Sequence, residues 1–382
     1  LSPEQRRGLD ACAALARRSG SASALCNLGT VHLKAGDASG AESWFREAVS
    51  RDPDLPEAHQ NLAALLADSG RPEEAQWHRD RAFRTDPLRI ETAAHEQRRV
   101  LVLSSAGYGN VPIDNLLPRA TTTRIKLFVA YATEAQWAAL PPYDIVFNAI
   151  GDADLLPPGA WWDRLPQHRI LNEPACVART RRDRLPCLLA DLDDVVVPKV
   201  ARHAGVPTQD LRLPAIVRPI GAHGGKGVTL VHTAPEIPPE PAYLTEFHDY
   251  RSPDGLYRKY RMIFVGGIAF PAHLAISSHW LVHYFSADMA ASAWKRDEER
   301  AFLDDPAFVI GGRAMTAVAQ IGRRLDLDYA GVDFSVLPDG RVLVFEANAT
   351  MAVNLDDDPA LFDYRHRAVR QIFAGFADLF LA

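Results

Sequence analysis

The 382-residue sequence has no CxxC pair and no zinc-like spacing among its four cysteines, Cys12, Cys26, Cys176 and Cys187. That excludes a disulfide framework and a cysteine-based zinc site, and it leaves the expectation of reduced thiols in a cytoplasmic protein. There is no apolar run of the length that spans a bilayer and no apolar signal core at the first residues, so neither a membrane segment nor a secretion signal is expected. An excess of basic charge is missing too. The formal net charge is -6, which argues against a nucleic-acid coat, because phosphate-backbone binding needs a cationic surface. With 47% apolar and 24% charged residues the composition is that of an ordinary globular protein. The length suits two or three domains.

What is present begins with an internal repeat. Placing "ALCNLGTVHLKAGDASGAESWFREAVSRDPDLP" over "AHQNLAALLADSGRPEEAQWHRDRAFRTDPLRI" aligns Leu28 with Leu62, Gly36 with Gly70, Ala41 with Ala75, Ala48 with Ala82 and Pro53 with Pro87. Each unit reads as two amphipathic helices with a glycine turn between them and a proline stopping the second. The offset of about 34 residues, and the alanines at close-approach positions, resemble the tetratricopeptide (TPR) repeat over residues 22 to 89. Ala63 stands where the first repeat has Gly29, and Arg79 where it has Phe45. Such a module implies either a groove for a peptide or protein, or a packing and dimerising surface.

After the polar stretch "ETAAHEQRR" the pattern changes. "VLVLSSAGYGN" is an apolar strand feeding a Gly/Ser turn, and "YDIVFNAIGDADLL" repeats the idea, with Asn148, Asp152 and Asp154 at the carboxyl end of the strand. From residue 214 onward strands dominate, up to a helix over 306–325 and two final strands joined by the turn "PDG". The segment "HWLVHYFSADMAASAWKRDEERAFLDD" reads as a long excursion able to close over a site.

Two nucleotide motifs are absent. A Walker loop would need glycine at 220 and a hydroxyl residue at 227, where Ile220 and Gly227 stand, and no GxGxxG opens a helix. What "PAIVRPIGAHGGKGVTLV" offers instead is a cationic glycine turn between two strands, able to cover a polyphosphate with backbone N–H groups. Downstream, "GVDFSVLPDGRVLVFEANATM" places Asp333, Glu346 and Asn348 on the strands of a hairpin. Glu346 and Asn348 are two apart and share a face. Two carboxylates and an amide oxygen are hard ligands suited to magnesium bridging nucleotide phosphates. His273, His279 and His283 fit neither one strand face nor one helical stripe, so a transition-metal triad is not expected of them; a substrate or phosphate contact by one of these or by His223 is the alternative.

From about residue 99 to the end these motifs, in this order, resemble an ATP-grasp carboxylate–amine ligase of the glutathione synthetase, D-alanine–D-alanine ligase and RimK kind. The resemblance implies an α+β ATP-grasp fold behind all-α repeats, with repeats over 1–92, an α/β pre-ATP-grasp subdomain over 98–200 and the nucleotide-binding, catalytic domain over 201–382. It places His223, Gly224, Gly225, Lys226 and Gly227 in the loop over the ATP phosphates. Arg218 falls where the family has a phosphate-binding lysine, and Arg184 near the other. Glu246 and Phe247 match the segment that reads adenine, with Asp249 toward the ribose. Arg261 matches the arginine beside the transferring phosphate, and Asp333, Glu346 and Asn348 match the magnesium ligands. Two arginines for two lysines is a departure that keeps charge and changes the grip on phosphate.

The implied chemistry is amide formation: ATP phosphorylates a carboxylate, an amine displaces phosphate, and ADP and phosphate are the products. The expected partners are carboxylate and amine substrates, amino acid or peptide, with a peptide or protein docked by the repeats, a homodimer possible, and no nucleic acid or membrane. The alternatives are a ligase of small metabolites whose repeats serve assembly, and a nucleotide-binding scaffold without catalysis.

Overall fold

The computed structural model describes residues 12–159, 161–165, 169–203, 211–221, 225, 227–353, 355 and 358–380. The chain divides into two compact units. One holds the residues up to Thr92 with Arg99–Tyr108 and Thr123–Tyr143, and the other holds Ala93–Arg98, Gly109–Thr122 and everything from Asp144 onward.

In the first unit, residues 12–19 are helical (α1), followed by α2 (Ala22–Lys34), α3 (Ala38–Arg51), α4 (Pro56–Asp68) and α5 (Pro72–Thr85). The Ser21 and Asp37 side chains accept N–H groups of the first turns of α2 and α3, and prolines open α4 and α5, where a missing N–H does no harm. Leu25, Phe45, Leu62 and Leu66 are fully buried between the helices. A Cβ on Gly29 would lie 2.5 Å from the Phe45 ring. The repeat therefore carries glycine at 29 because phenylalanine occupies 45, and the second repeat, with Arg79 in that place, accommodates Ala63.

The helices do not end the unit. Strand β1 (Leu88–Glu91) follows α5 directly and pairs antiparallel with β3 (Thr122–Phe128), beyond which lies β2 (Arg98–Ser104). Phe83 of α5 meets Phe128 edge-on at 4.4 Å between ring centroids, and the Tyr131 hydroxyl donates to Asp80 at 2.7 Å. A short helix, α6 (Glu134–Ala138), completes this unit.

The second unit contains the parallel pair β4 (Ile145–Asn148) and β5 (Ile170–Leu171), then α7 (Pro174–Arg179) and α8 (Leu185–Leu188). Two sheets follow. Strands β6 (Val195–Val196), β7 (Val200–His203), β8 (Ala215–Pro219), β9 (Thr229–Val231), β10 (Ala242–Glu246), β11 (Tyr257–Val265) and β12 (Ile268–Ser277) precede helices α9 (Ala293–Asp304), α10 (Pro306–Ile310) and α11 (Gly312–Leu325). Strands β13 (Tyr329–Val336) and β14 (Val342–Asn348) and helix α12 (Pro359–Asp378) close the chain. The smaller sheet has the order β7-β10-β8-β9 and the larger β12-β11-β13-β14-β6. Helices α9, α11 and α12 pack on the larger sheet, α11 through Ala314, Ala317, Val318, Ile321 and Leu325, spaced as one helical face.

Two expectations are revised. The helix expected over 306–325 is two helices, because Gly311 sits at φ +83°, a left-handed conformation that ends α10. The long excursion is shorter than its sequence suggested: its charged half forms α9, leaving 278–292 largely irregular.

Candidate functional site

The larger sheet brings four polar residues into one row. His273 on β12 is the register partner of Arg261 on β11, Arg261 of Asp333 on β13, and Asp333 of Glu346 on β14. Directly opposed residues of antiparallel strands point to the same face, so the row is a property of the pairing. A bulge after Asp333 skips Phe345 and restores the register. The Arg261 guanidinium grips Asp333 with two hydrogen bonds, Nε at 2.6 Å and Nη2 at 2.9 Å, and Lys259 Nζ lies 3.1 Å from the same carboxylate. Asp333 is buried. Burial works to raise its pKa, but Arg261 and Lys259 outweigh burial and hold it well below the usual carboxylate range.

Glu346 is held in the same way by different residues. Arg182, between α7 and α8, forms an ion pair with Glu346 Oε2. Against the effect of burial, Arg182 and then Arg218 bring the Glu346 pKa down to about 2. Arg218 itself is lowered to about 10, by burial first and then by Arg182; it stays cationic at neutral pH.

The smaller sheet supplies Arg218 through its own alternation. Ala215, Val217, Val231, Ala242 and Leu244 form an apolar core on one face. The other face carries Arg202, Tyr243 and Arg218 abreast on β7, β10 and β8, with Val200, Thr245 and Ile216 as the next row. Tyr243 donates its hydroxyl to Asp154, 2.8 and 2.7 Å from the two oxygens, and so ties this face to the segment after β4. A small cavity of about 30 Å³ lies where apolar side chains, Leu185, Val197, Val200 and Val344, meet the polar groups of Arg182 and Glu346.

Around the two carboxylates stand, among the described residues, four cations, Arg182, Arg218, Lys259 and Arg261. The surplus is positive. Such a site is electrostatically suited to a polyanion, and a divalent ion fits it when carried in by phosphates that offset the arginines.

The other expected residues are placed as follows. Gly225 and Gly227 lie in the turn between β8 and β9 with φ +79° and +67°, and His283 borders that turn; His223, Gly224 and Lys226 lie outside the described residues. Arg184 is exposed at the start of α8, and Arg182, two residues earlier, is the arginine that reaches Glu346. In the turn before α8 the adjacent arginines of "RTRRDRL" go to different partners, Arg181 to Asp183 and Arg182 to Glu346. Glu246 and Phe247 end β10, where the Glu246 carboxylate accepts the Arg212 N–H and Phe247 meets Trp280 edge-on. Asp249 is exposed and bound to Arg251 at 2.5 Å. Asn348 shares the Glu346 face, and its Oδ1 accepts from the Thr350 backbone N–H and hydroxyl. Among the described residues no three His, Cys, Asp or Glu side chains are grouped to hold a metal.

Residues 13–77 match the Tetratricopeptide repeat family. The tetratricopeptide match spans α2 to α4 with parts of α1 and α5. No curated protein matches the chain. Solved structures with a similar fold include a VanG D-Ala:D-Ser ligase from Enterococcus faecalis, at 11% identity and TM-score 0.45, covering 74% of this chain and 99% of that one. An L-amino acid ligase from Bacillus licheniformis is similar at 13% identity and TM-score 0.41, covering 67% and 68%. An N5-carboxyaminoimidazole ribonucleotide synthetase in its ADP complex is similar at 11% and 0.45, covering 68% and 71%. Likenesses of this size define neither substrate nor reaction.

Proposed function

We propose that the second unit is an ATP- and magnesium-dependent carboxylate–amine ligase. The observation that carries this reading is the surplus of positive charge around two in-register carboxylates, Asp333 buried and Glu346 half-buried, with a glycine turn on the smaller sheet. Arg182 and Arg218 are the residues that grip the phosphates, and the turn carrying Gly225 and Gly227 supplies backbone N–H groups to them. Asp333 and Glu346 would hold magnesium, with Asn348 at the edge of the set; the donors are hard oxygens and suit it. Bound there, the ion would neutralise charge on the polyphosphate.

Arg261 has two states in this account. It is held by Asp333; were that carboxylate to hold magnesium, the guanidinium fork would be free to face the transferring phosphoryl group and the carbonyl oxygen of the acid. A carboxylate oxygen attacks the γ-phosphorus and ADP departs. The amine then attacks the acyl carbon, phosphate departs with the C–O bond pair, and the amine's proton goes to solvent. The row of Val200, Thr245 and Ile216 suits the adenine face.

The tetratricopeptide unit serves to dock a peptide. Its α5 exposes Trp77 beside Arg81 and Arg84 in an open groove of about 310 Å³, a surface with an aromatic anchor. Calorimetric titration of the full chain with ATP and magnesium tests the nucleotide reading. Saturable binding, weakened tenfold or more by Arg218→Ala and by Arg182→Ala, is expected; wild-type protein that takes up no ATP would overturn it.

A further inference from the structure

The inner end of β12, from Ala272 to Ser277, is buried throughout, and His273 is the titratable group in it. It extends the Arg261–Asp333–Glu346 row by one strand. Only 7% of the residue is exposed, and its Nδ1 has no hydrogen-bond partner among the described residues. A buried polar atom left in this way loses its hydration and gains nothing in return, and native proteins hold few of them. Its aromatic neighbour Tyr284 is no remedy: the ring lies 5.1 Å away, but its hydroxyl turns to Glu299 at 3.2 Å.

The charges facing this imidazole are Arg261, Lys259 and Arg365, with His283 beside them. Burial first, and then these cations, keep His273 neutral. A neutral imidazole among fixed cations can offer an N–H without adding to the charge already there. The partner such a pocket favours is an oxygen anion.

We propose that His273 is a binding residue of the acid subsite, its Nδ1–H donating to one oxygen of the substrate carboxylate while the other faces Arg261. The proposal rests on the ligase reading above and adds where the acid sits: at the β12 side of the row, under the segment 278–292, away from Arg182 and Arg218. It accounts for a residue that is unfavourable in the free protein and becomes satisfied when ligand arrives.

The test uses the full chain with ¹⁵N-labelled histidine side chains, loaded with AMP-PNP and magnesium and titrated with acetate, succinate and L-glutamate. The His273 ring nitrogens are expected to shift when at least one acid is added and to stay in place with nucleotide alone. His273→Phe should bind AMP-PNP within twofold of wild type, lose that acid's affinity by tenfold or more, and melt at a higher temperature because the orphaned nitrogen is gone. His273→Asn, whose amide can occupy the Nδ1 position, should keep most of the affinity. A resonance unmoved by every acid, or equal acid affinity in His273→Phe, overturns the assignment while leaving the nucleotide site intact. Failure of wild-type protein to bind AMP-PNP overturns both.

Discussion

Glu346 compensates two arginines at once, and that makes it more than a surface charge. Its removal as Glu346→Ala leaves Arg182 and Arg218 facing each other partly buried, which should destabilise the second unit by about 3–5 kcal/mol. Removing Arg182 as well relieves the repulsion, so the double variant should be less destabilised than the sum of the singles by at least about 1 kcal/mol; strictly additive urea midpoints would contradict the pairing. Glu299 on α9 is the opposite case. It is fully buried and accepts from the Leu274 N–H and the Tyr284 and Tyr364 hydroxyls, with Arg365 3.5 Å away. Burial nevertheless raises its pKa to about 7. A carboxyl raised above its unfolded value stabilises fully below that value, near 4.5, and the contribution is lost as pH rises through 7. The loss should approach about 3 kcal/mol between pH 5 and 8. Glu299→Gln should flatten that dependence, and an unchanged slope in its denaturation curves would refute the assignment. At this scale part of the site was legible in sequence. Arg261, Asp333 and Glu346 stand on strands where period two and register decide the face. Lys259, two before Arg261, was available by the same rule. Arg182 was not, because the irregular turn before α8 carries no periodicity that says which arginine turns inward.

Among the elements, the helical repeat was the most legible, since its spacing is written twice. The pairing of Gly29 with Phe45 gives it a test. Gly29→Ala pushes a methyl into the ring and should destabilise the helices by about 1–3 kcal/mol, whereas Gly29→Ala with Phe45→Leu should recover most of the loss. Faster amide exchange in α2 and α3 of the single variant, restored in the double, is the expected reading; no change in the single would contradict the close approach. Elements joined by distant pairing were less legible. That β1 would leave α5 and join β3 depends on a partner about 35 residues away, and no local pattern in "LRIE" announces it. The break at Gly311 was visible as a glycine and read through as a helix, because the flanking apolar periodicity continues across it.

At the scale of the whole molecule acid should loosen both units, since His273, Asp333 and Glu346 are depressed as His78 is, and a second loss, above neutrality, should belong to the unit carrying Glu299 alone. In the first unit, His59 and His78 are buried with their Nδ1 atoms 2.8 Å apart, a contact that needs at least one neutral ring. Burial, then His59, lowers His78 to about 4. A histidine depressed below its unfolded value of 6.5 stabilises above that value and loses the contribution as pH falls toward 4. Amide exchange across the full chain should therefore show the helical unit loosening in acid, by up to about 3 kcal/mol, and the unit carrying Glu299 loosening above neutrality as well; a single common profile would contradict this division. The central claim concerns chemistry. The direct measurement is product identity: full-length protein with ATP, magnesium, pooled amino acids and, in a parallel tube, peptides, followed for ADP, AMP, phosphate and pyrophosphate beside an Arg261→Ala control. The account predicts ADP and phosphate in equal amounts, dependent on an acceptor in one of the tubes and lost in the control. AMP with pyrophosphate, or ADP formed at the same rate without any acceptor, would contradict it.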